Sequence, residues 1–159
     1  GDGLDAVKQA ASAEYNLVVS PSALETAKYL QKQFGTPYGV GYPLVRTMLP
    51  ELDYTGKTVL IVHQQVMANA LREELKMRGA SEVKVCSWFD MKSELLEEGD
   101  VYLKEEDDFT ELAAGSQWDV IIADNCMTAM LPKFEGQFVW IRHFAVSGKL
   151  MQWKAGPAE

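Results

Sequence analysis

The strongest constraint on the fold is the run Thr58–Val62, in which all five residues are β-branched or aliphatic. A continuous apolar run, unlike an alternating one, is typical of a strand covered on both faces, as the strands of parallel sheets are. Further strands are predicted at Glu82–Cys86, Val120–Ala123 and Phe138–Ile141, and segments with helical spacing of apolar residues separate them. This alternation predicts an α/β fold: a parallel, doubly wound, Rossmann-like sheet with helices on both faces.

A smaller portion, one strand followed by one helix, is predicted ahead of this sheet. The apolar run within Tyr15–Pro21 predicts a buried strand that delivers Ser20 to a loop at its carboxyl end. Ligands of α/β proteins bind at such loops. Ser22 and Glu25 form a capping-box pattern at the start of the helix, and Gly35 ends it.

Turn residues place a boundary at Asp53–Gly56. Beyond it, Met91–Leu96 is predicted to be a short helix, and a further helix is predicted to begin at Asp107 and Asp108. The predicted organisation is a βα portion of a preceding Rossmann-like domain at 1–55, a Rossmann-like domain at 56–150 and a tail at 151–159.

Composition excludes several functions. A formal net charge of −8 argues against a nucleic-acid surface, which needs clustered lysine and arginine. No stretch reaches the roughly 18 apolar residues of a membrane span. Cys86 and Cys126 are the two cysteines, and their wide separation suits neither a disulfide scaffold nor a zinc site. We therefore expect a cytoplasmic protein that binds neither nucleic acid nor membrane.

A nucleotide site is not predicted. The turn after Thr58–Val62 begins with His63 and Gln64 and contains no glycine, although a dinucleotide site needs glycine where the backbone approaches the pyrophosphate. Gly56-Lys57-Thr58 imitates the end of a phosphate-binding loop, but Thr58 begins a strand instead of a helix. The polar residues at this turn must therefore be explained in another way.

Six short motifs occur in a fixed order over residues 5 to 150. They are Ala13-x-Tyr15-Asn16-Leu17-Val18, Phe34-Gly35-Thr36-Pro37, Gly56-Lys57-Thr58-Val59-Leu60-Ile61-Val62, Trp118-Asp119-Val120-Ile121-Ile122-Ala123-Asp124-Asn125, Trp140-Ile141-Arg142-His143 and Ser147-Gly148. Their order and spacing resemble the nitrogenase component 1 family, which comprises molybdenum-iron protein chains, cofactor-scaffold homologues and dark-operative protochlorophyllide reductase subunits.

The resemblance implies that the chain is an excised piece, since members of the family are several hundred residues long. The chain begins at Gly1 without Met and shows helical spacing at once, at Leu4, Val7 and Ala11. Its function is therefore read as the function of a part.

Ser20 occupies a position that the resemblance makes informative. In the catalytic alpha-type chains of the family, the corresponding residue is a cysteine that ligates the active-site metal cluster. A serine hydroxyl is a poor ligand for soft iron-sulfur metal, so Ser20 argues against a cluster held at this point. The alternative is that Ser20 caps the following helix, with Pro21 at its first position. Capping and lining a pocket are compatible.

His143 lies close to the family's second cluster ligand, a histidine. When the chains are aligned on Ser147-Gly148, the ligand position falls on Arg142 and His143 is one residue late; a one-residue bulge would restore the register. The alternative is a histidine at a strand end that is bonded to backbone.

Three further residues complete the predicted site. His63 and Gln64 correspond to a turn that faces the cavity in the family; the alternative is an exposed turn. Asn125 matches a family turn in which asparagine most often closes the backbone through its side chain. The predicted cofactor-binding residues, expected to share one cleft, are Ser20, His63, Gln64, Asn125 and His143, and no metal ligand is assigned.

The resemblance implies a part of a nitrogenase component 1-like oxidoreductase that contributes walls of a substrate or cofactor cavity. The implied partners are a homologous second subunit, an ATP-dependent iron-sulfur reductase protein and a small-molecule substrate. An iron-sulfur cluster is expected in the full-length complex but not on this chain alone, which should be colourless and inactive. The alternative is a non-catalytic ligand-binding or cofactor-scaffold module of the same fold.

Overall fold

The computed structural model describes residues 9–115, 118–131 and 133–147. Within these ranges the strands are β1 (Asn16–Val18), β2 (Tyr38–Val40), β3 (Thr58–Val62), β4 (Glu82–Ser87), β5 (Val101–Tyr102), β6 (Val120–Ala123) and β7 (Gln137–Trp140). The α-helices are α1 (Leu24–Phe34), α2 (Val45–Met48), α3 (Gln65–Met77) and α4 (Glu106–Gly115). Short 3₁₀ turns lie at Gln9–Ser12, Pro21–Ala23, Ser93–Leu95 and Asn125–Met130. None of the described helices has the length and apolar character that crossing a membrane requires.

The main sheet has five parallel strands in the order β5-β4-β3-β6-β7. β3 comes first in the chain and lies at the centre. The chain then builds β4 and β5 on one side, returns, and builds β6 and β7 on the other. The direction of winding therefore reverses between β3 and β6, which confirms the predicted doubly wound sheet.

Both faces of this sheet are covered, as a continuous apolar run requires. Val59 and Ile61 point to a core that includes the apolar stripe of α3. Leu60 and Val62 point to the opposite core, which includes residues of α4. All four of these side chains are fully buried. The helices thus lie on both faces, as predicted.

Within the described ranges, a second sheet pairs β1 with β2 in parallel. The prediction of a buried strand in this segment is wrong, since Leu17 is 49% exposed and Val19 is 41% exposed, and Val18 alone of this strand is buried. Val18 packs with residues of α1 on one face. A two-stranded sheet with one covered face leaves alternate side chains open, however apolar they are.

Two local predictions also fail. The capping box is absent, because α1 begins at Leu24 after a 3₁₀ turn, and the hydroxyl of Ser22 lies 3.1 Å from that of Ser20 instead of capping the helix. The short helix predicted at Met91–Leu96 is only the 3₁₀ turn Ser93–Leu95. Gly35 ends α1 as predicted, with a left-handed φ of 73° that favours glycine.

The structure does not test three other predictions. Two concern residues outside the described ranges, and the third concerns the domain boundary. Leu4 and Val7, which began the predicted amino-terminal helix, lie outside the described residues, as does the predicted tail at 151–159. The boundary placed at residues 55 and 56 falls between the two sheets in the chain and stays a prediction.

Candidate functional site

The candidate site lies at the carboxyl edge of the main sheet, where the winding reverses. His63 follows the last residue of β3, and Asp124 follows the last residue of β6, the neighbouring strand. His143 comes three residues after β7, which pairs with β6 on its far side. Parallel strands place their carboxyl ends at one edge, so the fold brings these residues together. Ligands of open α/β sheets bind at this position.

His63 is 2% exposed, and both of its ring nitrogens are engaged. Nδ1 accepts a hydrogen bond from the backbone N–H of Gln64 at 2.9 Å. The proton of the neutral ring must therefore be on Nε2, which donates to the carbonyl oxygen of Arg142 at 3.1 Å. Burial lowers the pKa of His63 to about 4, although the bond to Arg142 opposes that shift. His63 is thus a neutral imidazole at neutral pH.

His143 is 1% exposed and has one ring nitrogen engaged. Its Nδ1 accepts from the backbone N–H of Ala145 at 3.2 Å, so its proton also lies on Nε2. That Nε2 is buried and has no hydrogen-bond partner among the described residues. Burial lowers the pKa of His143 against an opposing effect of the Asp124 charge. Within the described part of the chain, the site therefore contains a neutral N–H donor without an acceptor, which is rare for a buried polar group.

Aromatic rings surround His143. The centroid of the His63 ring lies 4.4 Å away at a tilt of 44°. Phe89 stacks on His143 at 4.5 Å and 15°, and Phe144 stacks at 5.2 Å and 17°. Phe144 is 72% exposed, so the outer ring of this stack faces solvent while the imidazole does not.

Asp124 organises the segment that carries His143. Its fully buried carboxylate accepts the backbone N–H of His143 at 2.8 Å, the N–H of Cys126 at 3.1 Å and the hydroxyl of Ser147 at 2.7 and 2.6 Å. Burial opposes ionisation, but the hydrogen bonds from Ser147, His143 and Cys126 lower the pKa of Asp124 to about 2. A charged carboxylate therefore fixes the start and the end of the turn at 143–147.

Gln64 joins the two sheets. Its side-chain oxygen accepts from the N–H of Val66 at 3.0 Å and so caps α3. Its side-chain nitrogen donates to the carbonyl of Val19 at 2.9 Å, just after β1. Both ends of the amide are thus bonded to backbone.

Ser20 and Asn125 are placed less centrally. Ser20 is half-buried and comes directly after Val19, but its hydroxyl is turned to Ser22 and makes no cap bond to the backbone. Asn125 is exposed, and its backbone carbonyl accepts from the Thr128 hydroxyl. The structure therefore brings together His63, Gln64 and His143, while the shared cleft stays a prediction.

Sequence reasoning assigned no role to Asp124, Ser147 or Phe89. A signal was present for Asp124, because an acidic residue directly follows a fully apolar strand. The contributions of Ser147 and Phe89 depend on the return of separate loops to this edge, which no local pattern reveals.

The donors of this chain do not fit an iron-sulfur cluster. Among residues 9–115, 118–131 and 133–147, no group of three or more histidine, cysteine or acidic side chains is placed to hold a metal. Both thiols are free: Cys86 is buried, and burial raises its pKa far above the usual range, whereas Cys126 is exposed. Such a cluster takes three or four thiolates.

The tautomers decide what the histidine pair can do. A nitrogen that coordinates a metal needs its lone pair, but Nε2 of His143 carries the proton because Nδ1 accepts from Ala145. If that proton moved to Nδ1, the Nδ1–H would face the backbone N–H of Ala145, and two donors would then point at each other. The arrangement therefore suits donation to an oxygen acceptor better than coordination of a metal.

No family model and no curated protein matches the sequence. Among solved structures, the chain is similar to one described as "Nitrogenase Cp1 at pH 6.5", with a TM-score of 0.57 and 14% sequence identity. The similarity covers 84% of this chain and 39% of that chain. At this level of identity, it shows that the two share a fold.

Proposed function

We propose that this chain is part of a nitrogenase component 1-like oxidoreductase, in which it contributes walls of the cavity that holds substrate or cofactor. One observation carries the proposal: His63 and His143 meet at the switch point of a parallel sheet whose fold is similar to that of a nitrogenase chain. The order of sequence motifs that resembles this family supports it independently.

In this proposal His143 is the residue that contacts the ligand. Its Nε2–H would donate to a carbonyl or carboxylate oxygen that reaches the edge of the sheet once Phe144 moves aside. Asp124 is a positioning residue, since it holds the backbone of His143 at 2.8 Å. Gln64 keeps the small sheet, with Ser20, against the same edge through Val19.

The remaining parts of the reaction come from partners. A homologous second subunit closes the cavity, and an ATP-dependent iron-sulfur reductase protein supplies electrons. The iron-sulfur cluster belongs to the full-length complex, because the thiols described above do not fit one. The small-molecule substrate is organic in this proposal, since a neutral donor between aromatic rings suits such a ligand.

The test uses the full-length parent purified without oxygen together with its second subunit. We expect electron uptake that depends on MgATP and on the reductase, measured by electron paramagnetic resonance. The His143→Phe variant should keep this electron uptake and lose substrate reduction. The 159-residue chain alone should be colourless and free of stoichiometric iron. Absence of ATP-dependent electron uptake by the parent would refute the proposal.

A second function is favoured by Ser20, which stands where the family's catalytic alpha-type chains have a cysteine. In this alternative the protein is a ligand-binding or cofactor-scaffold module of the same fold. A single preparation of the protein distinguishes the two proposed functions. A scaffold would retain an organic ligand or cofactor through purification and release it intact, without reduction in the presence of MgATP and reductase.

A further inference from the structure

A cleft lies at the opposite end of β3 from the histidine pair. It has a volume of about 400 Å³ and is formed by α2, the connection that leads to β3, and the carboxyl end of α3. Its lining consists of one apolar side chain, one phenol and five charged groups: Arg46, Glu51, Leu52, Asp53, Tyr54, Glu74 and Arg78. Small-molecule sites have volumes of roughly 300–1,000 Å³.

Tyr54 supplies a buried donor to this cleft. The residue is 1% exposed, and its hydroxyl has no hydrogen-bond partner among the described residues. Buried tyrosine hydroxyls usually have one. Burial raises the pKa of Tyr54, the charge of Arg78 lowers it and the charge of Glu51 raises it. Arg78 and Glu51 line the same cleft as Tyr54.

The two arginines differ in how much of their hydrogen-bonding capacity is used. Arg78 donates from Nε to Glu74 at 2.8 Å, from Nη1 to the carbonyl of Pro50 at 3.2 Å and from Nη2 to the carbonyl of Arg46 at 3.1 Å. The side chain of Arg46 is 77% exposed and makes one long contact, from Nε to Glu74 at 3.5 Å. Its two Nη groups donate to no group in the described ranges. Arg46 therefore offers a free fork for an anion.

The acidic groups of the cleft also differ in how much of their hydrogen-bonding capacity is used. Glu74 is buried between the two arginines, which lower its pKa. Asp53 is exposed and uses one carboxylate oxygen to accept the N–H of Thr55 at 2.9 Å. Glu51 is exposed and has no hydrogen bond to another described residue. Once Glu74 and Arg78 are counted as a pair, the cleft presents one available guanidinium and two available carboxylates.

We propose that this cleft binds a small zwitterion of the amino-acid type. The ligand carboxylate accepts from the Nη groups of Arg46 and from the hydroxyl of Tyr54, and its ammonium group contacts Glu51 and Asp53. Because the carboxylates outnumber the free guanidinium, a ligand with a second cationic group binds more tightly than one with a neutral side chain. This site is independent of the redox function proposed above, since it lies at the other end of β3.

The test is a titration of the isotope-labelled full chain, followed by the shifts of backbone amides. L-Lysine, L-alanine, acetate and methylammonium are the probes. We expect shifts confined to residues 46–54 and 74–78, with L-lysine binding most tightly, and acetate and methylammonium each about tenfold weaker than L-alanine. Equal affinity for acetate and L-alanine, or no shift with any probe up to about 20 mM, would refute the proposal.

Variants separate binding from a structural role. Tyr54→Phe should weaken L-lysine binding about tenfold while the melting temperature stays equal or rises, because the change removes an unpartnered buried hydroxyl. Arg46→Gln, at an exposed position that does not endanger folding, should weaken binding to a similar extent. Lys32→Gln removes an exposed charge on α1 and should leave binding unchanged. Binding of L-lysine to Arg46→Gln with wild-type affinity would overturn the proposal.

Discussion

The imidazole rings of His63 and His143 lie with their centroids 4.4 Å apart, although they follow different strands of the sheet. The two rings are buried, and each accepts a backbone N–H at Nδ1. A proton added to either ring would displace one of these bonds and put a charge where water is excluded. The pair is therefore stable only in its neutral form, and protonation must oppose folding.

The unfolding free energy should consequently fall in mild acid. The pKa of His63 is about 4 in the folded state against 6.5 ordinarily, so the unfolded chain binds more protons between these values. Stability should be complete above pH 6.5 and decline towards pH 4, by about 3 kcal/mol from His63 alone. Urea unfolding at several pH values across this window measures the decline.

The control for this prediction is His63→Gln, which cannot titrate. Its unfolding free energy should depend less steeply on pH than that of wild type, by about 0.9 proton near the middle of the window. An unchanged slope would contradict the assignment to His63. Asp124 does not interfere, because its pKa is lowered from 3.8 to about 2 and its contribution is lost only as the pH falls through that lower range.

Replacing Asp124 by alanine should destabilise the protein by about 3 kcal/mol, since it leaves the donors of His143, Cys126 and Ser147 without their acceptor. Equilibrium unfolding in urea measures the loss. Asn125→Ala changes the exposed neighbouring residue and should stay within about 0.5 kcal/mol of wild type. Equal effects of the two substitutions would show that the carboxylate does not organise the 143–147 turn.

Gln64→Glu should loosen the small sheet without disturbing α3. The glutamate keeps an oxygen for the N–H of Val66 but loses the donor to the Val19 carbonyl. We expect a loss of about 2–3 kcal/mol, because the hydrogen bond is lost and a carboxylate faces a carbonyl oxygen at a buried position. Hydrogen exchange should accelerate at amides of the small sheet, such as Asn16, and not at those of β3. Gln64→Ala removes the bond to Val19 without adding a charge, and it also removes the helix cap, which is worth about 1 kcal/mol. Unchanged exchange at Asn16 in both variants would contradict the linking role.

The ion pair of Arg72 with Asp100 is the basis of a fourth prediction. The two side chains are each 1% exposed, and their shortest contact is 2.6 Å. Arg72→Met should cost about 3–5 kcal/mol of unfolding free energy, because it leaves a buried carboxylate without its counter-charge. Lys76→Met, which breaks an exposed pair with Glu97, is the matched control and should cost less than about 1 kcal/mol. A small loss in Arg72→Met would mean that water replaces the guanidinium.

Local patterns predicted the central elements well and the peripheral ones less well. β3 has the predicted bounds, because a strand buried on both faces needs a continuous run of apolar side chains, and Val59–Val62 form such a run directly after Thr58. The same reasoning failed for the strand before Ser20. Its apolar residues are as dense, but only Val18 is covered. Whether a neighbouring layer covers a strand is not encoded in the strand itself.

For the candidate site too, local patterns predicted some features, and the packing of the layers decided the others. The sequence by itself determined that His63 and Asp124 directly follow apolar strands and that His143 comes soon after another, because periodicity over a few residues sets each element and its end. Only the tertiary structure decided that β6 lies beside β3 and that His143 stacks on Phe89. It also decided that the Nε2 of His143 has no acceptor among the described residues, while Asp124 holds the backbone of His143. Strand order and hydrogen-bond partners join residues far apart in the chain, so they depend on how the layers pack.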